Sequence, residues 1–220
     1  MLDVVVFASG RGTNFAALLD AQRRGELAIR IRALLSDMSQ AHALALARAA
    51  DIDAIALAPA DYPDRAAFDR ALFAHVVEYQ PGLIVLAGYL RVIDTAVVDA
   101  WRGRIINIHP SLLPKYPGLH THRRALEAGD TTHGASVHYV TAQLDGGPVI
   151  AQVEMLVHAG DTPRSLAARL LPLEHRLLIA SVDRIARGRI ALRGNHVECD
   201  GIVPAAPLRM NAQGKLEAVG

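Results

Sequence analysis

Cysteine is almost absent: Cys199 is the single thiol in 220 residues. One cysteine excludes an internal disulfide framework and any metal cage built on paired thiolates. An excess of either charge is missing too. Lys and Arg number 23 against 22 Asp and Glu, a formal net charge of +1. No field therefore favours nucleic acid or an anionic membrane surface. Long apolar runs are lacking, since stretches such as Leu83-Ile84-Val85-Leu86-Ala87 fall far short of the ~20 residues that span a bilayer. Asp3 and the want of a basic leader argue against a signal peptide, and the expected compartment is the cytoplasm. Aromatics are sparse at 5%, yet 51% of residues are hydrophobic and 20% charged. That composition is globular, and the length suffices for one domain with a substantial core. The expected organisation is a single domain over 1–190 and a loosely packed C-terminal tail over 191–220, with no internal repeat, low-complexity block or linker.

Five short, near-continuous apolar runs, at 4–7, 29–35, 54–57, 83–87 and 105–108, read as strands covered on both faces. Helical patterns separate them at 15–24, 41–50, 64–79 and 94–101. In the third of these, Phe68, Leu72, Val76 and Tyr79 share one face. Strand–helix alternation predicts an α/β fold: a Rossmann-like, doubly wound, mostly parallel sheet with helices on both faces and right-handed crossovers. Ligands then bind beyond the C-terminal strand ends. Later the pattern becomes mixed. Runs at 135–140 and 149–157 predict two strands joined through Asp145-Gly146-Gly147, a hairpin-type turn signal. A long helix follows, with Thr162 as N-cap and Pro163 in its first position, ending near Ala186 and Gly188. Pro172 inside it predicts a kink.

The most informative stretch runs from Asn107 to Gly118. Asn107 and His109 are two residues apart after Ile105-Ile106, so a strand points both to one side. Pro110, Pro114 and Pro117 then stiffen the loop that follows. Two polar heads at a strand end suit a site better than a core, although an Asn and a His can also simply satisfy loop backbone. Ser9-Gly10-Arg11-Gly12-Thr13-Asn14 follows the first strand and opens the first helix, where free N–H groups complement a phosphate. Asp37, after the second strand, could mimic the acidic ribose ligand of a dinucleotide site, but Phe15 stands where that fingerprint needs its third glycine. A single phosphate fits better; a plain glycine-rich turn is the bland alternative. His109, His120, His122, His133 and His138 form a sequence cluster. It lacks a zincin helix motif, a Cys partner and a carboxylate at ligand spacing, so a catalytic metal is not expected; His120 and His122, flanking Thr121 at the start of a short helix, read as capping or surface residues. Arg91 follows a buried strand and also falls at a sheet end. Asp145 beside His109 would favour imidazolium, if the fold brought them together.

SGRGTN at 9–14, LAGYLRV at 86–92, NIHPSLLPKYPGLHTH at 107–122, HGASVHYV at 133–140 and LDGGPVI at 144–150 together resemble the phosphoribosylglycinamide formyltransferases, folate-dependent enzymes of purine biosynthesis. The likeness covers roughly residues 1–190 in order. It implies transfer of the formyl group of 10-formyltetrahydrofolate to N1-(5-phospho-D-ribosyl)glycinamide, with no metal. Asn107, His109 and Asp145 match the family's catalytic trio: oxyanion donor, general acid, and the carboxylate that raises the histidine's pKa. Gly12, Thr13 and Asn14 match its phosphate loop, and Glu174 an acidic residue near the glycinamide. Arg65, Leu90, Arg91, Val92, Ile93 and Asn107 match folate positions, as do Thr141 and Asp145 in the later loop. Leu171, Pro172 and Leu173 replace polar residues before Glu174, and a relative carries Met where Leu90 stands. The implied partners are small molecules, with neither nucleic acid nor membrane, for a monomer or homodimer. A formyltetrahydrofolate deformylase would be expected to add an N-terminal regulatory domain, and a methionyl-tRNA formyltransferase a nucleic-acid-binding one. A noncatalytic nucleotide sensor would have little use for Asn107, His109 and Asp145 together.

Overall fold

The computed structural model describes residues 1–218; Val219 and Gly220, the end of the expected tail, lie outside the described residues. The chain forms two compact units, Met1–Asn107 and Ile108–Gly220.

The first unit alternates strand and helix: β1 (Leu2–Phe7), α1 (Thr13–Arg23), β2 (Ile29–Ser36), α2 (His42–Arg48), β3 (Asp53–Ala56), a 3-10 turn at Pro59–Asp61, α3 (Arg65–Tyr79), β4 (Leu83–Leu86) and α4 (Thr95–Ala100). β5 (Ile105–His109) begins here and crosses the boundary. The strands lie parallel in the order β5-β4-β1-β2-β3. β1 is therefore the point from which the chain winds both ways, where doubly wound sheets bind ligands. Val4 to Phe7 are fully buried. Successive strand side chains face opposite ways, so both faces of the sheet must be covered. α3 begins where Asp64 accepts a hydrogen bond from the Ala67 N–H at 2.7 Å, and it ends where Gln80 turns left-handed (φ 45°) before Pro81. Phe68, Leu72 and Val76 are its buried stripe, while Tyr79 at the end reaches the Asp53 carboxylate at 2.8 Å.

The second unit contains α5 (Thr121–Glu127), β6 (Thr132–Tyr139), β7 (Val149–Leu156), α6 (Pro163–Ala186), β8 (Ile190–Arg193), β9 (His196–Cys199), β10 (Leu208–Met210) and β11 (Leu216–Glu217). β6 and β7 pair antiparallel, β10 joins β7 in parallel, and β11 returns against β10. Mixed pairing appears where the sequence predicts it. Thr162 and Ser165 cap α6 reciprocally and Pro163 opens it. The helix is unbroken through Pro172.

Two expectations change. The stretch after 190 contains four short strands, with Leu208, Met210 and Leu216 buried. Elements of two to four residues are too short to show a period. Asp145-Gly146 is not the tip of a tight hairpin either, because β6 and β7 are joined by the long loop 140–148. Within it Asp145 takes a left-handed φ of 47°, and the Gly146 N–H closes a turn onto the Gln143 carbonyl at 3.1 Å. Buried polar side chains also fasten the proline loop. Ser136 Oγ donates to the Ser111 carbonyl (2.7 Å) and accepts from the Leu113 N–H (3.0 Å), and Gln152 Nε2 donates to the Leu113 carbonyl (2.9 Å).

A Cβ at Gly147 would sit 1.8 Å from the Tyr139 carbonyl oxygen, a backbone atom that cannot step aside. Gly147→Ala should therefore cost about 2 kcal/mol or more of stability. Urea unfolding checks this; a loss within ~0.5 kcal/mol would mean the loop moves freely.

Candidate active site

His109 closes β5, and the loop 140–148 returns Asp145 to it: His109 Nδ1 lies 3.4 Å from Asp145 Oδ2. The Gly118 N–H donates to the same oxygen at 2.8 Å. The other oxygen, Oδ1, lies 3.5 Å from His138 Nε2 on β6. One carboxylate thus faces two imidazoles and a main-chain N–H, with side chains 2–9% exposed. The remaining ring nitrogens face carbonyls, His109 Nε2 that of Tyr116 (2.9 Å) and His138 Nδ1 that of Tyr139 (3.0 Å). A neutral imidazole has one N–H and cannot donate to both acceptors, whereas an imidazolium can. The sequence places His138 in the histidine cluster without giving it a role. Its signal was the buried run Val137-His138-Tyr139 at a strand end, just ahead of the loop that carries Asp145.

The ribonucleotide-phosphate candidates sit together in the first unit. Gly12 is the left-handed N-cap of α1 (φ 75°), no side chain caps the helix, and a Cβ at Gly12 would lie 2.7 Å from that of Ala43. The N–H groups of the first turn are thus available to an anion. Thr13 opens the helix, and Asn14 is buried with its Oδ1 unpartnered. Asp37 does not serve as a free ribose ligand: buried, it accepts from Ser9 Oγ at 2.6 Å, and that hydroxyl accepts from the Leu90 N–H at 3.0 Å. The loops after β1 and β4 are so tied together, with the Ser9 N–H also donating to the Gly88 carbonyl at 3.0 Å.

The folate candidates divide. Leu90 and Val92 are exposed, Ile93 is buried, and the Arg91 guanidinium lies 5.2 Å from the Phe68 ring centre. Burial raises the pKa of the Asp69 carboxyl, against the downward pulls of the Asp94 N–H, which it accepts at 2.7 Å, and of the Arg91 and Arg65 charges. Thr141 lies in the later loop, its hydroxyl 3.5 Å from the Gln143 carbonyl. Glu174 is buried on α6, on the face that carries Leu170, Leu177 and Leu178. Asn107, the last residue of the first unit, pairs with Leu86 in the β4–β5 ladder. The fold therefore brings His109 to Asp145. Among the described residues no group of three or more His, Cys, Asp or Glu side chains could hold a metal ion, and no helix is long and apolar enough to cross a membrane.

The sequence pattern of the formyl transferase family matches residues 2–182. Phosphoribosylglycinamide formyltransferase of Escherichia coli (strain K12) is 43% identical over 200 residues, covering 91% of this chain and 94% of that protein. The solved structure of phosphoribosylglycinamide formyltransferase from Coxiella burnetii, in complex with CHES, superposes with a TM-score of 0.89 at 45% identity, covering 93% of this chain and 96% of that one. A formyltetrahydrofolate deformylase from Pseudomonas putida KT2440 is more distant, with a TM-score of 0.79 at 29% identity over 90% of this chain and 70% of that one.

The protonation of the site departs from expectation in one respect. The pKa of His109 is not raised. Burial dominates and holds it below the ordinary imidazole value, against the upward pulls of the Tyr116 carbonyl and the Asp145 carboxylate. Asp145 itself is raised by burial but drawn down further by the His138 and Gly118 hydrogen bonds and the nearby rings, to about 2. His133, buried and 2.9 Å from His122, is held down at about 4, chiefly by burial and then by that neighbour's charge.

These lowered values have a definite sign. Unfolded imidazoles take up protons near 6.5 while folded His133 resists to about 4. The unfolded state then binds more protons below 6.5, and stability falls on acidification. The unfolding free energy should drop by about 3 kcal/mol from His133 between pH 7 and 4, with a further loss through Asp145 below about pH 4. Urea titrations at a series of pH values test this. His133→Gln should flatten the upper limb, and an unaltered slope in that variant would refute the assignment.

Proposed function

The chain belongs to the formyl transferase family, and from that premise we propose that it transfers the formyl group of 10-formyltetrahydrofolate to the primary amine of N1-(5-phospho-D-ribosyl)glycinamide. The products are the N-formyl ribonucleotide and tetrahydrofolate, in the cytoplasmic synthesis of IMP. The observation that carries the reading is the buried Asp145 carboxylate shared by His109, His138 and the Gly118 N–H. The match over residues 2–182 supports treating 1–190 as one catalytic domain with 191–220 appended.

The residues fit the two substrates by their chemistry. Uncapped N–H groups after Gly12, with Thr13 and the unpartnered Asn14, suit a phosphate monoester. Exposed Leu90 and Val92 flanking Arg91 suit an apolar heterocycle carrying a carboxylated tail, to which Arg65 is also assigned on the family resemblance. Thr141 and Glu174 are assigned to the folate and to the glycinamide respectively, on the family resemblance.

Attack of the amine on the formyl carbon builds negative charge on the formyl oxygen, frees a proton from the amine and requires one at the departing nitrogen. The Asn107 amide can donate to the oxyanion. His109, held neutral at rest by burial, can take up the amine's proton, and as imidazolium it can stabilise the oxyanion and protonate the leaving nitrogen. Asp145, ionised at every working pH, meets that imidazolium charge at Nδ1. Atoms and protons balance without a covalent enzyme intermediate.

His109→Ala or Asn107→Ala should slow turnover by about 10²–10⁴, read as tetrahydrofolate release. Less than tenfold for both would end this mechanism. Asp145→Asn should lose turnover while keeping its fold, and an unchanged pH–rate profile would exclude Asp145 from tuning the ring. Thr13 and Asn14 variants should raise KM for the ribonucleotide more than for the folate. Omitting the ribonucleotide should stop folate release; release at full rate would mean hydrolysis, as a deformylase performs.

A further inference from the structure

Main-chain atoms of one short strap touch both members of the His109–Asp145 pair. The Tyr116 carbonyl faces His109 Nε2, and the Gly118 N–H donates to Asp145 Oδ2. This strap, residues 115–119, follows the proline loop and precedes α5. Main-chain groups cannot hold themselves in place, so something must fix the strap to within a few tenths of an ångström. Its upstream neighbour is pinned from below by Ser136 and Gln152 at Ser111 and Leu113. At its start Ser111 Oγ donates to the Lys115 carbonyl at 2.6 Å, and two charged side chains anchor the rest. Arg124 on α5 donates through Nη1 to the Pro117 carbonyl at 2.5 Å, reaches the Leu119 carbonyl at 3.5 Å, and sets its guanidinium 5.2 Å from the Tyr116 ring centre. Asp130 accepts from Tyr116 Oη at 2.9 Å and from Lys115 Nζ at 3.0 Å. Tyr116 takes a left-handed φ of 54°, unfavourable for a residue with a Cβ and therefore dependent on such outside support.

We propose that Arg124 is a positioning residue for the reaction: its grip on the carbonyls flanking Gly118 holds the Tyr116 carbonyl on His109 and the Gly118 N–H on Asp145. It touches no reacting atom. It bears on them because the strap it holds supplies one partner to each member of the pair. A shift of that strap by an ångström would cost the ring an acceptor and the carboxylate a donor at once, the kind of misplacement to which rates are steeply sensitive. The ionisable groups bearing on His109 are Asp145, His138, Arg124 itself, and the His122–His133 pair. Arg124 also opposes protonation of His109 by its charge, so charge and grip must be separated. Lysine retains the first and lacks the planar fork that gives the second.

The inference rests on the reading of His109 and Asp145 as the reacting pair, and it fails separately from it. Amide hydrogen exchange at Gly118 and steady-state kinetics are measured for wild type, Arg124→Gln and Arg124→Lys. In Arg124→Gln, Gly118 should exchange about tenfold faster or more while core amides of β6 stay protected, and kcat should fall about tenfold with both KM values within about twofold. Arg124→Lys should fall between the two. Unchanged Gly118 protection in Arg124→Gln overturns the proposal, as does lost protection with unchanged kcat. Full recovery of kcat in Arg124→Lys without recovered Gly118 protection would assign the effect to charge and overturn it equally. Should Arg124→Gln loosen the β6 core as well, Arg124→Lys becomes the deciding variant under the same two measurements. The pair itself is judged elsewhere: wild-type turnover in His109→Ala sinks the underlying reading whatever Arg124 does.

Discussion

A buried carboxylate must be given hydrogen-bond donors or be protonated, and much of the second unit can be understood as meeting that demand at Asp145. Two imidazoles and one main-chain N–H surround it. They come from different places: the end of β5, the end of β6, and the strap before α5. Their convergence dictates local features that look arbitrary in isolation. The connection after β6 has to be long enough to bring Asp145 back, so the chain forgoes a tight hairpin between β6 and β7. It must then turn sharply past the Tyr139 carbonyl, which leaves no room for a side chain at Gly147. Asp145 accepts a left-handed backbone, which aspartate tolerates better than most residues.

The same burial that makes the carboxylate a strong acceptor works against a resting charge on His109. Two effects oppose each other there. Desolvation is the larger, and the ring sits below its ordinary pKa, although both of its nitrogens face acceptors. The geometry favours imidazolium and the dielectric disfavours it. A group balanced in this way changes protonation state at small cost in either direction, as a proton carrier must within one turnover. A fully charged ring could not accept the amine's proton. A ring without Asp145 would be slow to take it.

The sequence was legible where chemistry and period coincide. β1 and β4 announce themselves because strands buried on both faces read as near-continuous apolar runs, β2 and β5 because such runs make up most of each, and α3 because its stripe recurs every turn. Thr162-Pro163 marks the start of α6 for an equally local reason: an oxygen to cap free N–H groups and a residue that needs no N–H partner. Asn107 and His109 stood out as polar residues at an apolar strand end. The misses are nonlocal. Asp145-Gly146 looks like a tight turn because the pair satisfies turn geometry, and nothing within a few residues reveals the demand from His109. Asp37 looks like a ribose ligand until Ser9, 28 positions away, takes up its carboxylate. His138 looked incidental because its partner follows it across a loop. β10 and β11 fall below the length at which any period can be recognised.

The two kinds of recognition in this chain place different demands on precision. A phosphate bound at the start of α1, as proposed, would meet several N–H groups that diverge little and tolerate small movement, so a glycine turn and an uncapped helix would suffice. The proton transfer proposed for His109 would tolerate far less, because Asp145 must hold the ring at Nδ1 while Nε2 exchanges the Tyr116 carbonyl for a substrate nitrogen. That difference accounts for where the polar scaffolding is concentrated. Ser136 and Gln152 hold the proline loop, while Arg124 and Asp130 hold the strap. Ser136, Gln152 and Arg124 act on backbone and Asp130 on the Tyr116 and Lys115 side chains, none of them on the reacting side chains. Rigidity is thus built into the main chain, and the imidazole is left free to change its charge.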